Sequence, residues 1–144
     1  MRSIWDDMAA MRSLYSAQLD AVGRECGLAR VELDILLFLA NNPQFDTATD
    51  IVERRCISKA HVSQSVKSLE QRGYLERWYA RDNRRTIHLR LREKAGAAVE
   101  AGRAAQHRYR SLLFQGFSEE ELEQFCGFFG RIAANARAQL KEGK

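Results

Sequence analysis

One change of period, at Gly73, restricts what this chain can fold into more than any other feature. Upstream of it Ser58 is a natural N-cap, and a helical pattern runs from there to Gln71 or Arg72 and stops at Gly73. Downstream, Tyr74 to Tyr79 and Arg85 to Leu91 read as strands. The second alternates cleanly, with Ile87, Leu89 and Leu91 on one face and Thr86, His88 and Arg90 on the other. Between them Ala80-Arg81-Asp82-Asn83-Arg84 forms a polar hairpin tip. The pattern is therefore a short capped helix followed at once by a two-stranded ribbon that projects from the core.

The other elements are helical. Ile4, Met8, Met11, Leu14, Tyr15, Leu19 and Val22 fall at helical spacing and predict a first helix ending near Gly23 and Gly27. A second spans roughly 30–40, is apolar on most sides and is expected at the centre of the fold; Asn41-Asn42-Pro43 stops it. A short third is expected over 47–55, with Thr47 and Thr49 as candidate caps and Ile51 and Val52 pointing inward. Beyond the ribbon a long helix is predicted over 93–114, and a last one starts at the capping box formed by Ser118 and Glu121. The expected fold class is mainly α with a small β-hairpin wing. One domain covers 1–144, with a winged helix-turn-helix lobe at 28–91 and flanking helices at 1–24 and 93–140.

Charge is distributed unevenly along this order. Residues 54–94 carry twelve Lys and Arg against four acids, whereas the rest of the chain has a net charge of −4. A basic module between acidic flanks suits a polyanionic partner. On a helical wheel Val62, Val66 and Leu69 share one face of the fourth helix. Ala60, Gln64 and Lys67 lie opposite, with His61, Ser63 and Ser68 on the shoulders. No acid occurs on that helix before Glu70. A solvated face usually mixes both signs, whereas a face entering the major groove must avoid negative groups near phosphates. Gln64 can make a bidentate contact to adenine, Ala60 can touch a thymine methyl, and His61 or Ser63 can reach a base edge or phosphate. Ser58 opens this helix at the same surface. Lys59 and Lys67 suit phosphate contacts, and Arg81, Arg84 and Arg85 at the ribbon tip suit the flanking backbone or minor groove.

Leu28, Leu33, Leu36 and Leu39, then the run Ile51 to Arg77, with Ser58-Lys59-Ala60-His61-Val62-Ser63-Gln64 at its centre, resemble the MarR family of bacterial transcription regulators. Asn83-Arg84-Arg85 and Leu91-Arg92-Glu93-Lys94 are similar to that family's Asp-Arg-Arg and Leu-Thr-Glu-Lys-Gly. The likeness covers nearly the whole chain. It implies a homodimer that regulates transcription, most simply a ligand-responsive repressor on a pseudo-palindromic operator in duplex DNA. Asn83 stands where the family has an acid, which questions the usual Asp–Arg bracing of the wing unless Asp82 substitutes and holds an arginine. Ala29 and Arg92 stand at helix starts where Thr is usual, and Ala95 where Gly is usual; each lost cap costs about 1 kcal/mol.

The flanking helices carry further expectations. Leu122, Phe125, Phe129, Ile132, Ala136 and Leu140 form a stripe on the last helix. Ala95, Ala98, Gly102 and Ala105 on the one before permit close helix approach, and together with the first helix these ends can pair across a two-fold axis. The resemblance also implies a small-molecule effector site, for which Trp5, Met8, Met11, Tyr15, Phe38 and Tyr109 are the candidate lining. Cys26, Cys56 and Cys126 are odd in number and widely spaced, as expected of reduced, mostly buried thiols. Oxidant sensing through Cys26 or Cys56 and zinc binding through Glu25, Cys26, Glu32 and His107 are alternative modes of control.

An enzyme is not expected: there is no phosphate-cradling Gly-rich loop, no metal spacing, and His61, His88 and His107 lie far apart. No cofactor or structural metal is called for. A winged helix that binds an acidic protein is the remaining alternative, and the lack of acids over 58–67 counts against it. No apolar run approaches the ~18 residues of a membrane span. The N-terminal residues lack the charge layout of a secretory signal, so a cytoplasmic protein is expected.

Overall fold

The computed structural model describes residues 3–143. The chain divides into two compact units, residues 1–109 and 110–144. The elements run α1 (Ile4–Cys26), α2 (Arg30–Asn41), α3 (Ala48–Arg55), α4 (Lys59–Gln71), β1 (Leu75–Ala80), β2 (Asn83–Leu91), a 3-10 turn (Glu93–Ala95), α5 (Gly96–Leu113) and α6 (Glu119–Glu142). No helix among the described residues is long and apolar enough to cross a membrane.

In the first unit α2 is the centre, as its composition predicts: Leu33, Ile35, Leu36, Leu37, Phe38 and Leu39 are all buried. Leu19 and Val22 of α1, Ile51 of α3, Val62, Val66 and Leu69 of α4 and Leu89 of β2 complete one hydrophobic cluster with it. The first helix runs further than expected, through Gly23 to Cys26. Gly27 then takes the left-handed conformation at φ 67°, and the Leu28 N–H donates to the Gly23 carbonyl at 2.9 Å. That is a Schellman ending, with Leu28 buried behind it. Thr47, not Thr49, caps α3: its hydroxyl oxygen accepts from the Asp50 N–H at 3.0 Å, and the Asp50 carboxylate accepts from the Thr47 N–H at 3.2 Å. Ser118 and Glu121 form the expected box in the second unit.

The small residues of the 3-10 turn and α5 have a different task from the one expected. Ala95, Ala98, Gly102 and Ala105 are buried within the same chain. A Cβ on Gly102 would stand 2.7 Å and 2.9 Å from the two methyl groups of Leu37, so this stripe brings α5 down onto α2. Because Leu37 is buried and must shift to make room, Gly102→Val is expected to lower the unfolding free energy by about 1–3 kcal/mol. A urea titration with an unchanged midpoint would contradict this packing.

The wing is a two-stranded antiparallel sheet in which Leu75 faces Leu91 and Trp78 faces His88; the register then shifts before Ala80 meets Asn83. Both strands sit slightly off the expected limits, and the turn shortens to Arg81-Asp82. Register and turn leave Arg84 to Ile87 of β2 facing a single β1 residue, a bulge that strands backbone donors. Asn83 supplies partners for them: its Oδ1 accepts from the N–H groups of Arg85 (3.0 Å) and Thr86 (3.3 Å), and its Nδ2 donates to the Thr86 hydroxyl at 2.8 Å. The amide thus braces the wing through its backbone. Asp82, expected to hold an arginine, is exposed on the turn and takes part in no ion pair among the described residues.

Candidate nucleic-acid interface

Helix α4 is fixed at both ends. The Ser58 side-chain oxygen accepts from the His61 N–H at 3.1 Å, which leaves its own O–H to donate outward. At the other end the Tyr74 N–H reaches the Leu69 carbonyl at 2.9 Å, and Gly73, at φ 82°, turns the chain into the wing. Between these ends Val62, Ser65, Val66 and Leu69 are buried, while Ser58, Lys59, Ala60, His61, Ser63, Gln64 and Lys67 are exposed. The predicted outward face is present, and Ser68, half-buried on its shoulder as expected, donates to Glu32 at 2.7 Å. Glu70 lies 3.3 Å from the Arg77 guanidinium, so the first acid on α4 faces a cation of the wing.

Arg81, Arg84 and Arg85 are exposed, and among the described residues neither they nor Lys59 and Lys67 join an ion pair. A concave surface of about 460 Å³ separates α3, α4 and the wing, and Lys59, Ser63 and Arg85 line it together. Gln64, Lys67, Arg81 and Arg84 are not among its lining. Arg77 and Thr49 also line it, and neither was singled out as a contact from the sequence. The period of two places Arg77 and Arg85 on the strand faces of Leu75 and Ile87, and that was the available signal. His88 is not simply outward: its Nδ1 lies 2.9 Å from the Asp46 carboxylate, and its ring stacks on Trp78 with centroids 4.2 Å apart. This pair ties the root of the wing to the loop before α3, beside the hydrogen bond from the Leu89 N–H to the Asp46 carbonyl.

Of the six residues expected around an effector, Tyr15 and Phe38 share a cavity of about 160 Å³ with Asp34, Leu37, Asn41, Arg55 and Gln106. Tyr109 touches Tyr15 edge-on and donates its O–H to the Met11 carbonyl at 3.1 Å. Trp5, Met8 and Met11 are exposed on α1 outside this cavity. Gln106 donates to the Tyr15 hydroxyl at 3.0 Å and accepts from Asn41 at 3.1 Å. Burial pushes the Asp34 carboxyl above the ordinary carboxylate range, against the opposing hydrogen bond from Arg30. The space therefore has an apolar floor of Leu37 and Phe38 and a rim of both charges.

The expectation of mostly buried thiols fails at two positions. Cys56 is exposed and holds φ at +53° where α3 ends, and Cys126 is exposed on α6; Cys26 is partly buried. Of the zinc candidates, Glu32 is committed to other partners, and no group of three His, Cys, Asp or Glu side chains gathers among the described residues.

Residues 27–85 match the sequence model of the MarR family. Across the full chain the fold is that of solved MarR-type structures. A protein of Listeria monocytogenes assigned to the MarR family of transcriptional regulators, in complex with a 26mer DNA, is 20% identical. It aligns over 100% of this chain and 97% of its own at a TM-score of 0.84. The transcriptional regulator SlyA is also 20% identical, over 99% of this chain and 100% of its own, with a TM-score of 0.82. The MepR–DNA complex of S. aureus is 17% identical over 94% and 99%, with a TM-score of 0.77. The resemblance read from the sequence and the winged-helix fold class both hold.

Proposed function

From this MarR match and fold as premise, we propose that the chain is a sequence-specific regulator of transcription that binds duplex DNA as a homodimer and responds to a small ligand. The acid-free exposed face of α4, set beside Arg81, Arg84 and Arg85 of the wing, which join no ion pair among the described residues, carries the reading. Ala60 and Gln64, with His61 and Ser63, read base edges; Ser58, Lys59, Lys67, Arg81, Arg84 and Arg85 hold phosphates or the flanking groove. Two copies related by a two-fold axis read half-sites about one DNA turn apart, so the operator is a pseudo-palindrome. The exposed stripe of α6 supports the pairing, because Phe125, Phe128, Phe129, Ile132 and Leu140 all stand in water on one helix, and contiguous apolar surface of this kind marks association sites. The cavity beside Tyr15 and Phe38 supports the ligand response, and occupancy of a promoter by the dimer makes repression the simplest outcome. Cys56, exposed two residues before the cap of α4, favours oxidant control as the second reading; alkylation that leaves operator binding unchanged counts against it.

Selection of bound duplexes from a random pool tests the reading directly. Five cations per protomer predict a log–log salt slope of roughly −4 to −5 for one protomer and about −9 for two. Gln64→Ala is expected to cost about 1–3 kcal/mol of discrimination at one base pair, while Arg84→Ala weakens selected and scrambled duplexes alike. A slope near zero, or a uniform loss in both variants, overturns the division into readers and anchors.

A further inference from the structure

Helix α2 begins at Ala29, which has no polar side chain, and the chain compensates from within the helix. One carboxylate oxygen of Glu32 accepts from the Ala29 N–H at 2.8 Å. Capping requires nothing more, yet Glu32 is only 7% exposed, and its other oxygen accepts from the Ser68 hydroxyl on α4 at 2.7 Å. The Arg72 guanidinium, just past the end of α4, lies 3.6 Å from the first oxygen and donates to the Gly27 carbonyl at 2.7 Å. Lys94 then donates to the Arg72 carbonyl at 2.7 Å, and both cations lie over the Tyr74 ring. One buried carboxylate thereby joins the end of α1, the start of α2 and the last turn of α4; the Arg72 carbonyl adds the segment that opens α5.

We infer that Glu32 is a positioning residue for the DNA-reading helix: through Ser68 and Arg72 it sets the rotation of α4 about its own axis, and so the aim of Gln64. This rests on the DNA-binding reading above. An ion pair between a buried carboxylate and an exposed guanidinium adds little stability beyond what apolar groups of the same volume would supply; its advantage lies in specifying one geometry. Ser68 is four residues from Gln64, on the neighbouring turn. With side chains at a radius of about 5–6 Å, a rotation of about 20° moves the reading group by about 2 Å. Such a shift breaks a bidentate contact, which tolerates only a few tenths of an ångström. The lysines and arginines that hold phosphates follow it with their flexible stems. Loss of the clasp therefore removes sequence preference before it removes affinity.

The test compares dissociation constants for the selected duplex and a scrambled duplex of equal length, at one salt concentration. Wild type, Ser68→Ala, Glu32→Gln and Arg72→Met are measured at a temperature where circular dichroism shows each fully folded; Ser68→Ala removes one hydroxyl and keeps the test alive if the others unfold. The ratio of scrambled to selected constants is expected to fall about ten-fold in Glu32→Gln, the scale of one base contact. Its scrambled constant and salt slope stay near wild type. The double variant Glu32→Gln with Arg72→Met should be no worse in this ratio than the poorer single, since both act through one clasp. An unchanged ratio in folded variants, or equal losses on both duplexes, overturns the positioning role while leaving DNA binding intact. A wild-type chain with no preference among duplexes overturns the DNA reading and the clasp with it.

Discussion

Phe38→Ala is expected to lower the free energy of unfolding by about 3–5 kcal/mol, a large share of the roughly 5–15 kcal/mol that holds a domain of this size together. The ring is 1% exposed on the helix that packs against α1, α4 and β2. The Arg55 guanidinium lies 4.8 Å from its centroid, so truncation removes a cation–π partner along with apolar burial. The ring also forms part of the wall of the cavity shared with Tyr15, Asp34 and Gln106. Its loss enlarges a space that already has a polar rim, and water can enter where a dry void would otherwise remain. That places the cost toward the lower part of the range, whereas Phe38→Leu, which keeps most of the volume, should cost about 1.5 kcal/mol or less. Urea denaturation reads both. A loss below 1 kcal/mol for the alanine variant would show that α2 is not the centre of the core.

Local chemistry was legible in the sequence, and contacts between distant positions were not. Ser58, Thr47 and the Ser118–Glu121 box act within three residues of themselves, so the residue types alone marked the helix starts. The period of α4 separated Val62, Val66 and Leu69 from Ala60 and Gln64, because a helix that rests on a core must sort its faces. Alternation gave the wing, but it placed His88 outward. It carries no knowledge of Asp46, 42 positions away, whose carboxylate draws the imidazole back to the lobe. Ser68 does sit on the shoulder of the α4 face, but the wheel could not name its partner Glu32, 36 positions upstream. The small residues of α5 were read correctly as a close-approach stripe, but a stripe does not name its partner, and Leu37 of the same chain lies against it. Asn83 looked like a loss because it cannot form an ion pair. The register shift it repairs appears only once both strands are paired.

A single carboxylate on α6 is expected to dissolve the proposed dimer. Phe129→Glu should halve the mass seen by sedimentation at micromolar concentration and weaken binding to a two-half-site operator by about 10²–10⁴-fold, the advantage that linking two half-site contacts confers. Phe129 is 59% exposed, stacks on Phe125 with centroids 5.6 Å apart, and lies among Phe128 and Ile132, which are equally open. None of the α6 residues is buried, so a partner that covers this face supplies burial that the chain itself does not. In a two-fold interface every residue occurs twice, so one substitution places two carboxylates in the seam. Each loses several kcal/mol of hydration on burial there. Added negative charge also repels DNA at long range, and Ala134→Glu, at an exposed position clear of both Phe128 and Phe129, controls for that. It adds the same charge about 140° around the helix from Phe129, and it should leave the mass unchanged and the affinity within a few-fold of wild type. Dimeric mass in Phe129→Glu would place the interface elsewhere. Monomeric mass with undiminished operator affinity would mean that each half-site is bound independently, and the pseudo-palindrome would then carry no energetic coupling.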